Sequence, residues 1–142
     1  MIKFKSERIK SEFYDSRLDP RLKMYVYFLS GYIEDKYGAN VLLTDILRTK
    51  KEQNEIYKND KSYQKKPWDS VHQDWRGVDM VGEYDNGMNL TDEEHEEIES
   101  MINKAIQYNA AKSYNTAKYH NVGNGIHLHL QVFLEDETRL LK

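Results

Sequence analysis

The chain has 142 residues, enough for one domain with its own hydrophobic core. Its net charge is −3, with 21 basic and 24 acidic residues mixed along the sequence, which argues against a nucleic-acid-binding or polybasic membrane-binding surface. Cysteine is absent, so disulfides and thiolate metal ligands are excluded, and any metal site must use His, Asp and Glu.

The N-terminal ten residues are mildly basic, but Glu7 interrupts them and no apolar stretch follows. No run in the chain approaches the length of a transmembrane helix. We therefore expect neither a secretory signal nor a membrane partner, and synthesis in the cytoplasm.

The first predicted helix begins at Asp19-Pro20, with Asp as N-cap and Pro at the first helical position. Gly38 follows where a C-cap glycine belongs. Its apolar residues repeat at helical spacing: Leu22, Tyr25, Val26, Leu29, Tyr32 and Ile33.

The middle of the chain alternates strand, helix and loop signals. Asn40–Leu47 is predicted to be a strand, and the capping box Thr49–Glu52 opens a short helix that ends near Lys58. The polar stretch Asn59–Trp68 is typical of a loop. Arg76–Val81 is predicted to be a strand, followed by an Asp-Asn-Gly turn at 85–87.

A second capping box, Thr91–Glu94, opens the last predicted helix. His95 lies in the acidic run at the start of this helix, so we expect it on the solvated surface. The polar stretch Asn109–Asn124 is predicted to be irregular. The apolar face of the helix consists of Ile98, Met101, Ile102, Ala105 and Ile106.

The segment His127–Leu134 alternates as a strand. Side chains at i and i+2 of a strand share a face, so His127, His129, Gln131 and Phe133 lie opposite Leu128, Leu130, Val132 and Leu134. The aliphatic face is the expected core face. We predict a single α+β domain over residues 1–142, with a small, mainly antiparallel sheet and flanking helices.

The residues with metal-binding chemistry are His72, Asp79 and the pair His127 and His129. Asp79 lies between Val78 and Met80, which are expected to point into the core. If its strand neighbours the last strand, Asp79 and His129 meet on one sheet face. Two imidazoles and a carboxylate suit a catalytic Zn²⁺, because three protein ligands leave a position for water. Histidines on an exposed strand are common, however, so His-x-His alone is a weak signal.

In order and spacing, Ser70-x-His72-x6-Asp79 followed by His127-x-His129 resembles the M15-like zinc D-Ala-D-Ala carboxypeptidases and peptidoglycan peptidases, which share the Hedgehog/DD-peptidase fold. The likeness extends upstream to Thr44–Thr49, which is similar to the strand-plus-arginine segment of that family.

The resemblance implies that His72, Asp79 and His129 bind zinc and that His127 is a catalytic histidine outside the ligand set. It also implies that Arg48 polarises the scissile carbonyl or holds a substrate carboxylate. Ser70 and His120 are expected to support the site.

Two positions depart from the family pattern. Many relatives have glycine three residues after the first histidine, where this chain has Trp75. Members with a carboxylate base have Glu three residues before the last ligand, where this chain has Ile126. His127 or a carboxylate elsewhere must therefore handle the proton in an active enzyme.

Three functions remain open from the sequence. The leading one is a zinc peptidase that cleaves bacterial cell-wall (peptidoglycan) peptides, from a phage endolysin or prophage gene and released to the cell wall during lysis. The alternatives are a non-catalytic zinc-binding module and a phage structural protein of the same fold.

Overall fold

The computed structural model describes residues 1–48, 52, 75–106, 116–121 and 125–132. These residues form an α+β structure in which three helices accompany one five-stranded open sheet of order β1-β2-β3-β5-β4. The elements are β1 (Ile2–Phe4), α1 (Glu7–Phe13), α2 (Pro20–Tyr37), β2 (Asn40–Asp45), β3 (Gly77–Glu83), α3 (Asp92–Ala105), β4 (Ala117–Asn121) and β5 (Ile126–Gln131). Only β1 and β2 pair in parallel, so the predicted α+β class and mainly antiparallel sheet are confirmed.

The predicted caps of the two long helices form the expected contacts. The Asp19 carboxylate accepts a hydrogen bond from the Arg21 backbone N–H at the start of α2, and Gly38 ends that helix with a φ of 63°. At the start of α3, Thr91 and Glu94 form both hydrogen bonds of the capping box. Local signals therefore set both ends of α2 and the start of α3.

Three elements were not predicted. At the N-terminus, β1 and α1 are short, and Ser6 caps α1 by accepting a hydrogen bond from the Ile9 N–H. The prediction of irregular structure over Asn109–Asn124 was wrong for Ala117–Asn121, which form β4. Lys118 and His120 share one face of this strand, while buried Ala117 lies on the other.

The hydrophobic core lies between the helices and one face of the sheet. Its fully buried residues include Leu22, Leu29 and Ile33 of α2, Ile98 and Ile102 of α3, and Val78, Met80, Leu128 and Leu130 of the central strands. Val132, which follows β5, is also buried in this core. The predicted core face of the last strand is confirmed through Val132, and the histidines lie on the opposite face of the sheet.

The expectation that His95 is a solvated surface residue was wrong, because only 1% of it is exposed. Its Nε2 accepts a hydrogen bond from the Gly82 N–H at 2.9 Å, and its Nδ1 donates to the Thr91 carbonyl at 2.9 Å. The ring stacks on Tyr119, with 4.6 Å between the ring centroids. The pairing of β5 with β3 ends at Met80. The Gly82 N–H lies beyond this pairing, and His95 provides its hydrogen-bond acceptor.

Several predictions lie outside the described residues: most of the capping box that begins at Thr49, its helix to Lys58, the loop Asn59–Trp68, and Phe133 and Leu134. The predicted turn at 85–87 is confirmed, since the Gly87 N–H donates to the Tyr84 carbonyl at 2.9 Å. In the described part of the chain, no helix combines the length and apolar character needed to cross a membrane.

Candidate metal centre

Asp79 and His129 lie directly opposite each other on the paired strands β3 and β5. The His129 Nδ1 and the Asp79 Oδ1 are 2.8 Å apart, and only 1% of Asp79 is exposed. Val78 and Met80, on either side of Asp79, are fully buried in the core. The predicted meeting of Asp79 and His129 on one sheet face is therefore confirmed.

His127 lies on the same face of β5 and is oriented by the backbone before it. Its Nδ1 is 2.8 Å from the Gly125 carbonyl, which can only accept, so this nitrogen carries the proton. Its Nε2 lies 3.4 Å from the Asp79 Oδ2. In the neutral imidazole this nitrogen is an acceptor facing an acceptor, an arrangement that a proton or a cation between the two atoms would stabilise.

A β-bulge brings a second carboxylate to the site. The pairing of β2 with β3 shifts between Leu43 and Asp45, so that Asp45 lies opposite Asp79. Arg48 bridges the two carboxylates, with its Nε 2.7 Å from the Asp45 Oδ2 and its Nη2 3.1 Å from the Asp79 Oδ2. Arginines that follow strands are usually exposed, but only 6% of the Arg48 side chain is exposed.

Helix α1 holds the segment that carries Arg48. The Arg8 Nη2 donates to the Leu47 carbonyl at 3.0 Å, and the Glu12 carboxylate accepts from the Leu47 N–H at 3.2 Å. Arg8 also forms ion pairs with Glu12 and Glu52, which raise the pKa of its guanidinium. These contacts fix both backbone groups of Leu47, the residue immediately before Arg48.

His120 joins the site from β4, where it lies opposite His127. Its ring centroid is 5.0 Å from that of His127 and 5.9 Å from that of His129. Burial, followed by the charges of His127 and His129, lowers the pKa of His120 to about 4. His120 is therefore a neutral imidazole near pH 7, in a place that suits the predicted supporting role.

Asp45 and Gln131 were not predicted as site residues. The Gln131 side-chain oxygen lies 3.1 Å from the His129 Nε2, and its strand position two residues after His129 was the available signal. For Asp45 no such signal exists, because the bulge changes the face on which residues after Leu43 lie.

Of the other predicted residues, His72 and Ser70 lie outside the described part of the chain. Trp75 has a φ of 60°, in the left-handed region that favours glycine, and the Arg17 guanidinium lies over its ring at 4.6 Å. Ile126 begins β5 and is 45% exposed.

The atoms on this face fit part of a zinc site. Imidazole nitrogen and carboxylate oxygen are ordinary zinc ligands, and two ligands of a tetrahedral zinc, each about 2.0–2.1 Å from the metal, lie roughly 3.3 Å apart. Asp79 makes nitrogen–oxygen contacts of 2.8 Å with His129 and 3.4 Å with His127. Within the described ranges, no three His, Asp or Glu side chains form a group that could hold a metal ion. The 3.4 Å separation is close to the ligand spacing, whereas 2.8 Å is a hydrogen-bond distance. Asp79 and His129, two of the three predicted ligands, thus lie in contact, and the third, His72, lies outside the described residues.

Comparison with known proteins found no match among protein-family models, curated proteins or solved structures. The likeness to zinc peptidases therefore depends on the motif residues and their placement in this chain.

Proposed function

We propose that this chain is a zinc-dependent peptidase that acts on bacterial cell-wall peptides. The observation that carries the proposal is the contact between the Asp79 Oδ1 and the His129 Nδ1, made by strands about fifty residues apart in sequence, with His127 beside it. These are three of the four residues that the motif His72, Asp79, His127-x-His129 brings together.

In the proposed site, Asp79 and His129 bind zinc together with His72. Bound zinc would lower the pKa of a coordinated water towards about 7 and polarise the scissile carbonyl. The protein holds its ligands in place from outside: the Gln131 side chain contacts the far nitrogen of the His129 ring, at 3.1 Å from Nε2. Such a contact restricts the ring to one orientation, which is how ligand histidines are usually held.

His127 is the proposed proton acceptor. Because its Nδ1 donates to the Gly125 carbonyl, its Nε2 lone pair is directed into the site, 3.4 Å from the Asp79 Oδ2. A general base needs a lone pair near the reacting atoms, and a neutral histidine supplies one at the ring nitrogen that carries no proton. In this role His127 would replace the glutamate base of the family, whose position is occupied by Ile126 in this chain.

Arg48 is proposed to supply positive charge where the tetrahedral intermediate becomes negative. The Arg48 guanidinium is always charged, and its contacts with Asp45 and Asp79 hold it in one place beside the proposed site. Its burial in the site, 6% of the side chain exposed, places that charge beside the proposed ligands.

The backbone conformation at Trp75 supports the alignment of this chain with the family motif. Many members of the family that this chain resembles have glycine at this position, and glycine is the residue that most readily adopts the φ of 60° that Trp75 has here. The cell-wall substrate and the assignment to a phage or prophage endolysin depend on the resemblance alone.

Metal content of the purified chain, measured by plasma mass spectrometry after zinc reconstitution and dialysis, tests the proposal. We expect near one zinc per chain, loss of that zinc in His129→Ala, and retention in the control Lys118→Ala on the neighbouring strand. The zinc-loaded chain should then release soluble peptide fragments from purified peptidoglycan. A chain that binds no zinc after reconstitution would refute the proposal.

A second candidate is a non-catalytic zinc-binding module. The observation that favours it is Ile126, which stands at the position of the carboxylate base and is 45% exposed. This candidate predicts the same zinc stoichiometry but no cleavage of peptidoglycan or of D-Ala-D-Ala peptides, so the digestion assay separates the two.

A further inference from the structure

Helix α2 has a large apolar surface on the side that faces away from the core. Met24 is 66% exposed, Tyr27 54% and Phe28 48%. At positions i, i+3 and i+4, these side chains form one continuous stripe on the helix, opposite the buried side formed by Leu22, Leu29 and Ile33. Contiguous exposed side chains of this size are typical of surfaces that bind another protein.

Gly31 continues the stripe one turn further along α2. Glycine in a helix interior costs about 0.5–1 kcal/mol relative to alanine. A Cβ built at Gly31 meets no atom within 4 Å, so no part of its own chain requires glycine at this position. A small residue that leaves the helix backbone uncovered on an outward apolar stripe suits a close approach by a second molecule.

The stripe is symmetric in both spacing and charge about the midpoint between Tyr27 and Phe28. Met24 and Gly31 lie at equal distances from this midpoint along the sequence, and so do Arg21 and Glu34. The side chains of Arg21 and Glu34 are 43% and 68% exposed. Within the chain, the Arg21 guanidinium also pairs with Asp19 at 2.7 Å, and the Glu34 carboxylate lies 3.9 Å from the N-terminal amine, so a partner's charges would add to these pairs. A surface with a large residue matched to a small one, and a basic residue matched to an acidic one, is complementary to a copy of itself turned by 180°.

We propose that α2 forms the interface of a two-fold symmetric dimer in which a second copy of this chain packs its own α2 antiparallel against the first. Met24 of each subunit lies over Gly31 of the other, Tyr27 and Phe28 pack across the symmetry axis, and Arg21 faces the opposing Glu34. Aromatic side chains near the centre of an interface contribute most to its binding energy, and opposite charges at its edges fix the register.

The interface is small, so the dimer depends on concentration. A helix of 18 residues is roughly 27 Å long, and one helix pair falls near the lower end of stable interfaces, about 1,200 Å² of total buried area. The stripe lies on the outside of the helix layer, whereas the histidines lie on the opposite face of the sheet. Dimer formation therefore leaves the candidate metal centre of each subunit uncovered and does not depend on the proposed activity.

The first test is sedimentation equilibrium of the full chain from about 10 µM to about 1 mM, together with Gly31→Leu. We expect the wild-type chain to dimerise in this range. Gly31→Leu should raise the dissociation constant at least roughly tenfold, because its side chain occupies the space of Met24. At concentrations where both chains are monomeric, its thermal midpoint should not fall, since a Cβ at Gly31 meets no atom of the same chain within 4 Å. A wild-type chain that stays monomeric at about 1 mM, or an equally dimeric Gly31→Leu, would overturn the proposal.

The second test exchanges charges across the proposed axis. Glu34→Lys alone and Arg21→Glu alone each place like charges opposite each other twice in a homodimer, so both should dimerise more weakly. An equal mixture of the two should recover the wild-type dissociation constant, because the heterodimer restores both opposite-charge pairs. Glu96→Lys, an exposed substitution on α3, should have no effect. A mixture no tighter than its components would rule out the antiparallel register.

Discussion

Replacement of Arg48 by methionine removes the guanidinium that lies between the Asp45 and Asp79 carboxylates, while it keeps a similar side-chain volume. Asp79 is 1% exposed and loses a contact of 3.1 Å, whereas the Asp45 side chain is 29% exposed and loses one of 2.7 Å. Breaking a buried pair costs about 3–5 kcal/mol, and a partly exposed pair is worth about 1 kcal/mol or less. We therefore expect a loss of about 4 kcal/mol, nearly all of it through Asp79.

Urea unfolding of the metal-free chain, with a chelator present, measures this loss. A domain of this size is stable by about 5–15 kcal/mol, so Arg48→Met should still fold. With a slope near 2 kcal/mol per molar urea, its midpoint should fall by roughly 2 M.

A double-mutant cycle assigns the loss to the pair. Asp79→Asn removes the buried charge, so Arg48→Met should cost much less in that background, with a coupling energy of about 2 kcal/mol or more. Arg48→Met that costs less than about 1 kcal/mol in the wild-type background would refute the bridging role of Arg48 and the burial argument with it.

Three other sites of the molecule give testable expectations. Burial lowers the pKa of His95, so the unfolded chain binds a proton at this histidine before the folded chain does as the pH falls below about 6.5. The free energy of unfolding should therefore fall from pH 7 to pH 5, and it should fall less in His95→Gln. The midpoints of urea unfolding measure both. A Cβ at Gly82 would collide with the Leu90 side chain, so Gly82→Ala should cost about 1–3 kcal/mol, partly recovered by Leu90→Ala in thermal unfolding. His127→Ala should keep its zinc but lose most peptidoglycan cleavage, whereas His129→Ala should lose both; a fully active His127→Ala would exclude His127 as the base.

The long elements of the fold were predictable because their signals are local. The N-cap Asp19 and the C-cap Gly38 bound α2, and the Thr91 capping box starts α3. By contrast, β1 has three residues and α1 has seven, too few for a hydrophobic period to be recognised. The short strand β4 depends on pairing with β5 along its whole length, which no local pattern reveals.

The candidate site was predictable to the extent that strand alternation determines it. Alternation placed Asp79 and His129 on one face and their neighbours in the core, as the structure has them. Alternation does not place Asp45, because a bulge interrupts it, and it does not apply to His95, which lies on α3 and contacts Gly82 of β3. In both cases the deciding contact is between elements, and neither sequence spacing nor polarity predicts it.

The polar cluster on the histidine face of the sheet would be an unfavourable choice if it served stability alone. Two carboxylates face each other across β2 and β3, and a buried guanidinium bridges them. The His120 ring centroid lies 5.0 Å from that of His127 and 5.9 Å from that of His129. Well-packed hydrophobic residues in place of such a buried ionic cluster are often as stabilising or more so. Groups of this kind, with a histidine pKa lowered to about 4 among them, are typical of functional sites. The aliphatic core lies on the opposite face of the sheet, so the polar composition of this face favours selection for the chemistry of its side chains.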